Sequence, residues 1–406
     1  MFLAYYEYSL RLCLFTEYDT VIVRFGGEIG IKSEWTRRQY ERLLRTNIYN
    51  VLRYHNIAYE KIQRKRGRIY VKTKNALAIA QALTKVFGIS SVSPSVRTTS
   101  NLDSIQKTVL QLVGETISKD SSFAVRCRRV GEHPYTSMEI CKTLGNQILT
   151  VFKERNLHVD LTNPQYTLNV EVREDEAYIF TEALQGAGGF PAGSQPKAVC
   201  LLSGGIDSPV ACWLAMKRGC TIVPLYLDNA PLTDEAATEK ALATARKLFE
   251  WLIGYPTKVY IVPHGKNLQT FMEKAPRKLT CLLCKRMMYR IAERIADLEK
   301  VEGIVTGEAI GEQASQTLTN LRVLNEVAKD YPIHRPLLGF DKTETETIAR
   351  KIGTFEISIR KAQGCTAAPN KPATQARLSI IKEAEKELEI EEMVKESLKG
   401  LKVVTL

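Results

Sequence analysis

No apolar run in this 406-residue chain approaches the roughly 18 residues of a membrane span, and residues 1–11 carry charges inside their apolar stretch. A membrane anchor and a secretory signal are thereby set aside, and a cytoplasmic location is expected. Two common phosphate signatures are also missing. There is no Gly-x-x-x-x-Gly-Lys-Ser/Thr, and Gly204-Gly205 is not followed by the third glycine of a dinucleotide fingerprint. Kinases, motor ATPases and dehydrogenases are therefore poor readings. The chain has no internal repeat or low-complexity tract. Its nine cysteines, an odd number without a secretion signal, argue for reduced thiols rather than a disulfide framework.

What is present is an ordinary globular composition, 44% hydrophobic and 25% charged, long enough for two or three domains. The formal charge of +12 favours a polyanionic partner. Its distribution says more: residues 51–100 hold ten Lys or Arg against one acid, Glu60. Arg64, Lys65, Arg66 and Arg68 form the dense centre, a candidate nucleic-acid contact whose rival is a solvated face.

The first part of the chain alternates strand (21–25), basic helix (34–54), strand (68–72) and helix (76–86), as in a split β-α-β layer. A second α+β unit follows, with helices at 102–118 and 138–153, a strand at 122–128 and a hairpin at 166–182. Arg126, Arg128 and Arg129 cluster in and just after that strand and are further candidate phosphate contacts. The glycine-rich stretch 185–193 marks the likeliest boundary.

Beyond it, strands at 199–202, 221–227, 258–262 and 303–306 alternate with helices near 210, 236–251, 285–298 and 344–352. This is the pattern of a doubly wound α/β sheet, whose ligands sit at the carboxyl ends of strands. The loops 203–208, 228–229, 264–265 and 307–308 are therefore where chemistry is to be sought. The tail from 382 to 401 reads as a helix.

The first of those loops carries Ser203-Gly-Gly-Ile-Asp-Ser208 between an apolar strand and a helix opened by Pro209. Gly204 and Gly205 let the backbone approach an anion, and Ser203, Ser208 and the free amides of the first turn can donate to it. An ordinary turn is the rival reading. Six cysteines (Cys13, Cys127, Cys141, Cys200, Cys212, Cys220) stand singly as core fillers. Cys281 and Cys284 form a pair at metal-ligand spacing, and Cys365 stands in a loop, Gln363-Gly-Cys-Thr-Ala-Ala-Pro369.

The 203–208 segment resembles the pyrophosphatase (PP) loop of the adenylating ATP hydrolases. Further segments resemble one branch of that superfamily, the tRNA 4-thiouridine synthetases: Phe123-Ala-Val-Arg-Cys-Arg-Arg129, Leu161-Thr-Asn-Pro164, Gly188-Gly-Phe-Pro191, Lys285-Arg-Met-Met288, the stretch 306–321, and Arg335-Pro-Leu-Leu-Gly-Phe-Asp-Lys-Thr-Glu344. The resemblance implies a ferredoxin-like domain (1–78), a THUMP RNA-binding domain (79–184), a linker (185–196) and a doubly wound PP-loop domain (197–406).

It also implies a reaction, in which ATP adenylates the C4 oxygen of uridine 8 in tRNA and a sulfur nucleophile displaces AMP. Asp207, Lys342 and Cys365 match the family's catalytic positions, Asp207 through Mg2+ or polyphosphate positioning, with a helix-cap carboxylate as its rival. Leu201, Leu202, Tyr226, Leu227, Arg286, Gly307 and Gln316 match its nucleotide contacts. Bacterial members pair the matching cysteine with a second one in a rhodanese domain, for which the residues after 365 are too few. Cys281, Cys284 and Cys365 are then expected to hold an iron–sulfur cluster (4Fe-4S or 3Fe-4S), as in archaeal-type members, with zinc, a redox disulfide or chance as rivals. The implied partners are tRNA and a sulfur donor, either sulfide or a cysteine desulfurase, with homodimer formation left open. A 2-thiouridine or 2-thiocytidine thiolase and a non-catalytic tRNA-binding protein are the competing functions.

Overall fold

The computed structural model describes residues 18–65 and 67–406 and divides the chain between Gly188 and Gly189 into two compact units. Cys13 and Arg66 lie outside the described residues, as does the segment 1–11.

The first unit is built on one nine-stranded sheet. Its elements are β1 (Thr20–Phe25), α1 (Glu34–Tyr54), β2 (Lys61–Lys65), β3 (Arg68–Lys72), α2 (Ala76–Leu83), β4 (Ile89–Thr99), α3 (Leu102–Thr116), β5 (Ser122–Val130), α4 (Ser137–Val151), β6 (His158–Val159), β7 (Tyr166–Arg173), β8 (Glu176–Phe180) and β9 (Leu184–Gln185). The strand order is β2-β3-β1-β4-β8-β7-β5-β6, with β9 beside the first half of β4. Only β5 pairs in parallel, with β6 and β7.

β4 takes in residues 91–95, a stretch whose sequence reads as extended or turn-like, as extended strand. Its residues 89–95 pair with β1 and residues 96–99 pair with β8, so one strand serves two halves of the sheet. The boundary expected after residue 78 falls inside α2. Apolar residues from both halves meet on the sheet, where Tyr70 stacks on Tyr178 with ring centroids 4.5 Å apart. The helices have clear local causes: Asn101 caps α3, and Thr136 with Glu139 forms a reciprocal capping box on α4.

The second unit carries a six-stranded sheet ordered β14-β13-β10-β11-β12-β15. Its strands are β10 (Ala198–Leu201), β11 (Ile222–Asp228), β12 (Lys258–Pro263), β13 (Ile304–Val305), β14 (Ile333–His334) and β15 (Lys402–Thr405). All pair in parallel except β15, an antiparallel edge strand on β12. The helices are α5 (Asp207–Lys217), α6 (Glu235–Phe249), α7 (Gly265–Lys274), α8 (Thr280–Glu299), α9 (Leu318–Asn325), α10 (Lys342–Ile352), α11 (Leu378–Lys386) and α12 (Ile390–Lys399).

From β10 the chain winds one way through β11 and β12, then returns to place β13 on the other side of β10. That reversal opens a crevice at the carboxyl ends of β10 and β13, the usual ligand position in a doubly wound sheet. The core beneath it joins Val199, Leu201 and Leu225 from the sheet to Leu282, Met287 and Ile291 from α8. Among the described residues no helix is long and apolar enough to cross a membrane. The tail expected as one helix is two, α11 and α12, followed by β15.

Candidate functional site

The loop 203–206 leaves β10 at the crevice and enters α5 at Asp207. α5 has no side-chain cap, so its first amides are open to an anion. Asp207 occupies the first helical position and Pro209 the third, where the missing N–H costs no helix bond. The loop is braced from within. The Ser203 amide donates to Ser208 Oγ at 2.9 Å, and the Gly205 amide donates to Ser203 Oγ at 3.2 Å.

Gly307 lies two residues past β13 and is required by space, because a Cβ there would sit 2.6 Å from the Ser208 amide nitrogen. The end of β13 thus rests on the first turn of α5. Lys342, first residue of α10, stands beside Asp341, which caps that helix in a reciprocal box with Glu344. Its Nζ donates to Asp207 Oδ1 at 2.9 Å and to Glu312. Burial works to lower the Lys342 pKa, but hydrogen bonds to Glu312 and Asp207 outweigh it and raise it. The structure therefore brings Ser203, Gly204, Gly205, Asp207, Ser208, Gly307 and Lys342 to one place.

Of the expected nucleotide contacts, Leu201, Leu202, Tyr226, Leu227 and Gly307 lie at the carboxyl ends of β10, β11 and β13. Leu201, Leu202 and Leu227 have buried side chains, which leaves backbone groups for any contact. Tyr226 is buried, and its hydroxyl accepts from Thr238 Oγ1 at 3.4 Å. Gln316 is buried with its Oε1 lacking a partner, an orphaned acceptor of the kind a bound group satisfies.

Arg286, matched above to a nucleotide contact, has its side chain engaged within the protein. Its guanidinium is 1% exposed and donates to Glu385 at 2.8 and 2.7 Å, to Glu326 at 2.9 Å and to the Val323 carbonyl at 2.5 Å. It locks α8 to α11 and to the end of α9. Glu308, next to Gly307, is a comparable hub that sequence reasoning did not single out beyond its loop. It accepts from Lys285 at 3.0 Å, Tyr289 at 2.5 Å and Arg335 at 2.7 Å. Burial raises its pKa, but Lys285 and Arg335 outweigh that and hold it below the usual range.

Cys281 and Cys284 sit in the first turns of α8, which begins at Thr280 rather than near 285 as expected. Three residues apart, they share a helix face. Cys365 is half-buried against the same core, in a loop tied down by the Thr366 amide donating to the Leu232 carbonyl at 3.0 Å. Burial is the largest cause raising the Cys281 and Cys284 thiols, and each feels the charge of Cys365. The three sulfurs are thus electrostatic neighbours, and all three are free. An all-thiolate donor set suits iron–sulfur ligation. Among the described residues, no three or more His, Cys, Asp or Glu side chains are gathered so as to hold a single metal ion.

Behind Cys284 lies His264, fully buried, its ring nitrogen Nε2 3.3 Å from Cys284 Sγ. Burial pushes its pKa down to about 4.

In the first unit the two basic clusters part company. Arg64 pairs with Glu41, Lys65 with Glu176, and Arg68 with buried Glu171 at 3.2 Å. Glu171 also holds Arg24 at 3.5 Å and Arg173 at 2.5 Å. These pairs tie the β2–β3 hairpin to its neighbours; Arg68 is largely buried, whereas the side chains of Arg64 and Lys65 stay 44% and 45% exposed beside their partners. On β5, Arg126 and Arg128 are exposed on one face, and Arg129 is half-buried, donating to the Gly131 carbonyl at 2.9 Å.

Comparison with known proteins follows the same division. Family models match three segments: a ThiI ferredoxin-like domain at 20–93, a THUMP domain at 99–182, and "Thiamine biosynthesis protein (ThiI)" at 193–390. The chain is 43% identical over 393 residues to a Methanosarcina mazei protein named "Probable tRNA sulfurtransferase", covering 96% of each. A Methanocaldococcus jannaschii protein of the same name is 38% identical, covering 91% of this chain and 97% of that one. Among solved structures, a 4-thiouridine synthetase–RNA complex with bound ATP superposes with TM-score 0.84 at 36% identity, covering 96% of this chain and 99% of that one. A Pyrococcus horikoshii protein gives 0.65 at 27% identity, covering 82% and 99%.

Proposed function

The chain belongs to the ThiI family of tRNA sulfurtransferases, and from that premise we propose that it thiolates tRNA at the expense of ATP, converting uridine 8 to 4-thiouridine. The observation that carries this reading is the meeting of the 203–208 loop, the uncapped start of α5 and Lys342 in the crevice between β10 and β13. A pyrimidine carbonyl oxygen is a poor leaving group. Attack of the C4 oxygen on the α-phosphorus of ATP forms the O–P bond and expels pyrophosphate. A sulfide-level sulfur then adds at C4 and AMP leaves with the original oxygen.

The loop amides, with Ser203 and Ser208, bind the polyphosphate, and Lys342 neutralises charge on it as the bond to the leaving group breaks. Asp207 holds Lys342 in place and, with Mg2+, orders the phosphates. Leu201, Leu202, Tyr226, Leu227 and Gly307 line the nucleotide's backbone contacts, and the orphaned Gln316 acceptor faces a donor of the base. Arg286 supports this wall from behind. The exposed Arg126 and Arg128 of the THUMP segment contact tRNA phosphates, and the reaction takes place where tRNA is, in the cytoplasm.

Cys281, Cys284 and Cys365 would hold an iron–sulfur cluster, which when bound supplies a place for sulfide to be presented to the activated base.

The test is direct. Full-length chain with ATP, sulfide and unmodified tRNA yields 4-thiouridine and one AMP per thiolated base by nucleoside analysis; unchanged tRNA overturns the reading. Anaerobically purified protein carries iron and acid-labile sulfide, lost in Cys365→Ser, whereas iron-free protein of full activity removes the cluster from the account.

A further inference from the structure

The polar groups behind Cys284 form a chain with a direction. It begins at the Met393 carbonyl on α12, which can only accept. Ser397 Oγ lies 2.9 Å away and commits its one proton there. Ser397 must then accept from Asn267, 2.8 Å away, which makes the contacting Asn267 atom the amide nitrogen. The same nitrogen faces His264 Nδ1 at 3.1 Å, so its second proton points to the ring and Nδ1 is an acceptor. A neutral imidazole has one proton, and that proton is left for Nε2, 3.3 Å from Cys284 Sγ.

We propose that His264 is a positioning residue of the sulfur site, fixed as the Nε2–H tautomer by Ser397 and Asn267 so that it donates an N–H···S hydrogen bond to Cys284. The placement is built rather than incidental. Asn267, His264 and Ser397 are 5%, 1% and 6% exposed, and the His264 amide donates to the Asp228 carbonyl at 2.6 Å. A Cβ at Gly265 would lie 1.8 Å from the Ala230 carbonyl oxygen, so this turn must pack flush against the β11 loop. The sulfur also lies 4.0 Å from the soft thioether of Met288. The hydrogen bond holds the sulfur in one orientation, toward the start of α7.

The inference rests on the thiolation reading only for its consequence, and its test separates the two. In the full-length chain with reduced thiols and 15N-labelled histidine, the His264 ring shows a protonated, pyrrole-type Nε2 and an unprotonated, pyridine-type Nδ1, with the signal assigned by its loss in His264→Gln. The opposite tautomer overturns the inference and leaves the thiolation reading intact. In single-turnover thiolation, His264→Leu, which has no donor, slows sulfur transfer about 10- to 100-fold, the usual cost of losing a group that orients a ligand. His264→Gln, whose amide can still donate, retains most of the rate, and both variants bind ATP as the parent does. Equal loss in the two variants, or no loss in His264→Leu, overturns the proposed role.

Discussion

Lys342 illustrates how a single side chain acquires its task from its surroundings. One surface lysine among many in the sequence, it is set by a capped helix start beside the 203–208 loop and tethered to Asp207 and Glu312. Lys342→Ala is expected to slow tRNA-dependent AMP release by about 100- to 1000-fold, the cost of removing one preorganised group from a phosphate-transfer site. tRNA binding measured by filter retention stays unchanged. Glu176 makes a prediction of another kind. Burial opposes its charge, yet hydrogen bonds from Lys65, Tyr178 and Arg97 prevail and bring its pKa from 4.5 down to about 2. A depressed carboxylate stabilises the fold fully above its unfolded value and loses that contribution as pH falls through the folded one. Urea unfolding of the parent therefore weakens between pH 4.5 and about 2, and Glu176→Gln flattens part of that decline. The residue scale also marks where sequence reading reached and stopped. The 203–208 loop was legible because its glycines, hydroxyls and helix start lie within a few positions. The ion pairs of Arg286 and Arg68 were not, since their partners Glu385 and Glu171 stand 99 and 103 residues away.

At the scale of elements, the strands and helices that read clearly were those with apolar periodicity, such as β10, β11 and α6. β2 escaped because Lys-Ile-Gln-Arg-Lys is a basic strand at the sheet's edge with one apolar residue. The tail broke into α11, α12 and β15 where its helical pattern looked continuous, since the chain has to turn back to reach the edge of β12. α8 extends to Thr280 because Leu282 and Leu283, between the two cysteines, pack into the core. That helix is pinned by Arg286 to α11 and to the end of α9. Arg286→Leu, which leaves Glu385 and Glu326 without that partner, is expected to destabilise the second unit by about 3–5 kcal/mol. The measurement is the midpoint of urea unfolding followed by tryptophan fluorescence. Arg286→Lys recovers only part of the loss, because an ammonium cannot reproduce the fork.

For the molecule as a whole, the positive charge divides into two populations. Arg64, Lys65 and Arg68 are paired with carboxylates, the first two at the surface, and Arg126 and Arg128 stand exposed on β5. Reversing Arg126 and Arg128 to Glu is expected to weaken tRNA binding and flatten its salt dependence while ATP binding is retained. Reversing Arg64 and Arg68 instead lowers the unfolding midpoint of the first unit, and an unaltered midpoint would contradict the assignment. The separate family matches at 20–93 and 99–182 suggest two interchangeable parts, yet β4 runs through both. Its first half completes one set of strands and its second half the other. In evolutionary terms such a strand acts as a splice that cannot be cut and rejoined freely: a lineage that exchanged either part for a homologue would have to inherit a matching register along β4 in the same event.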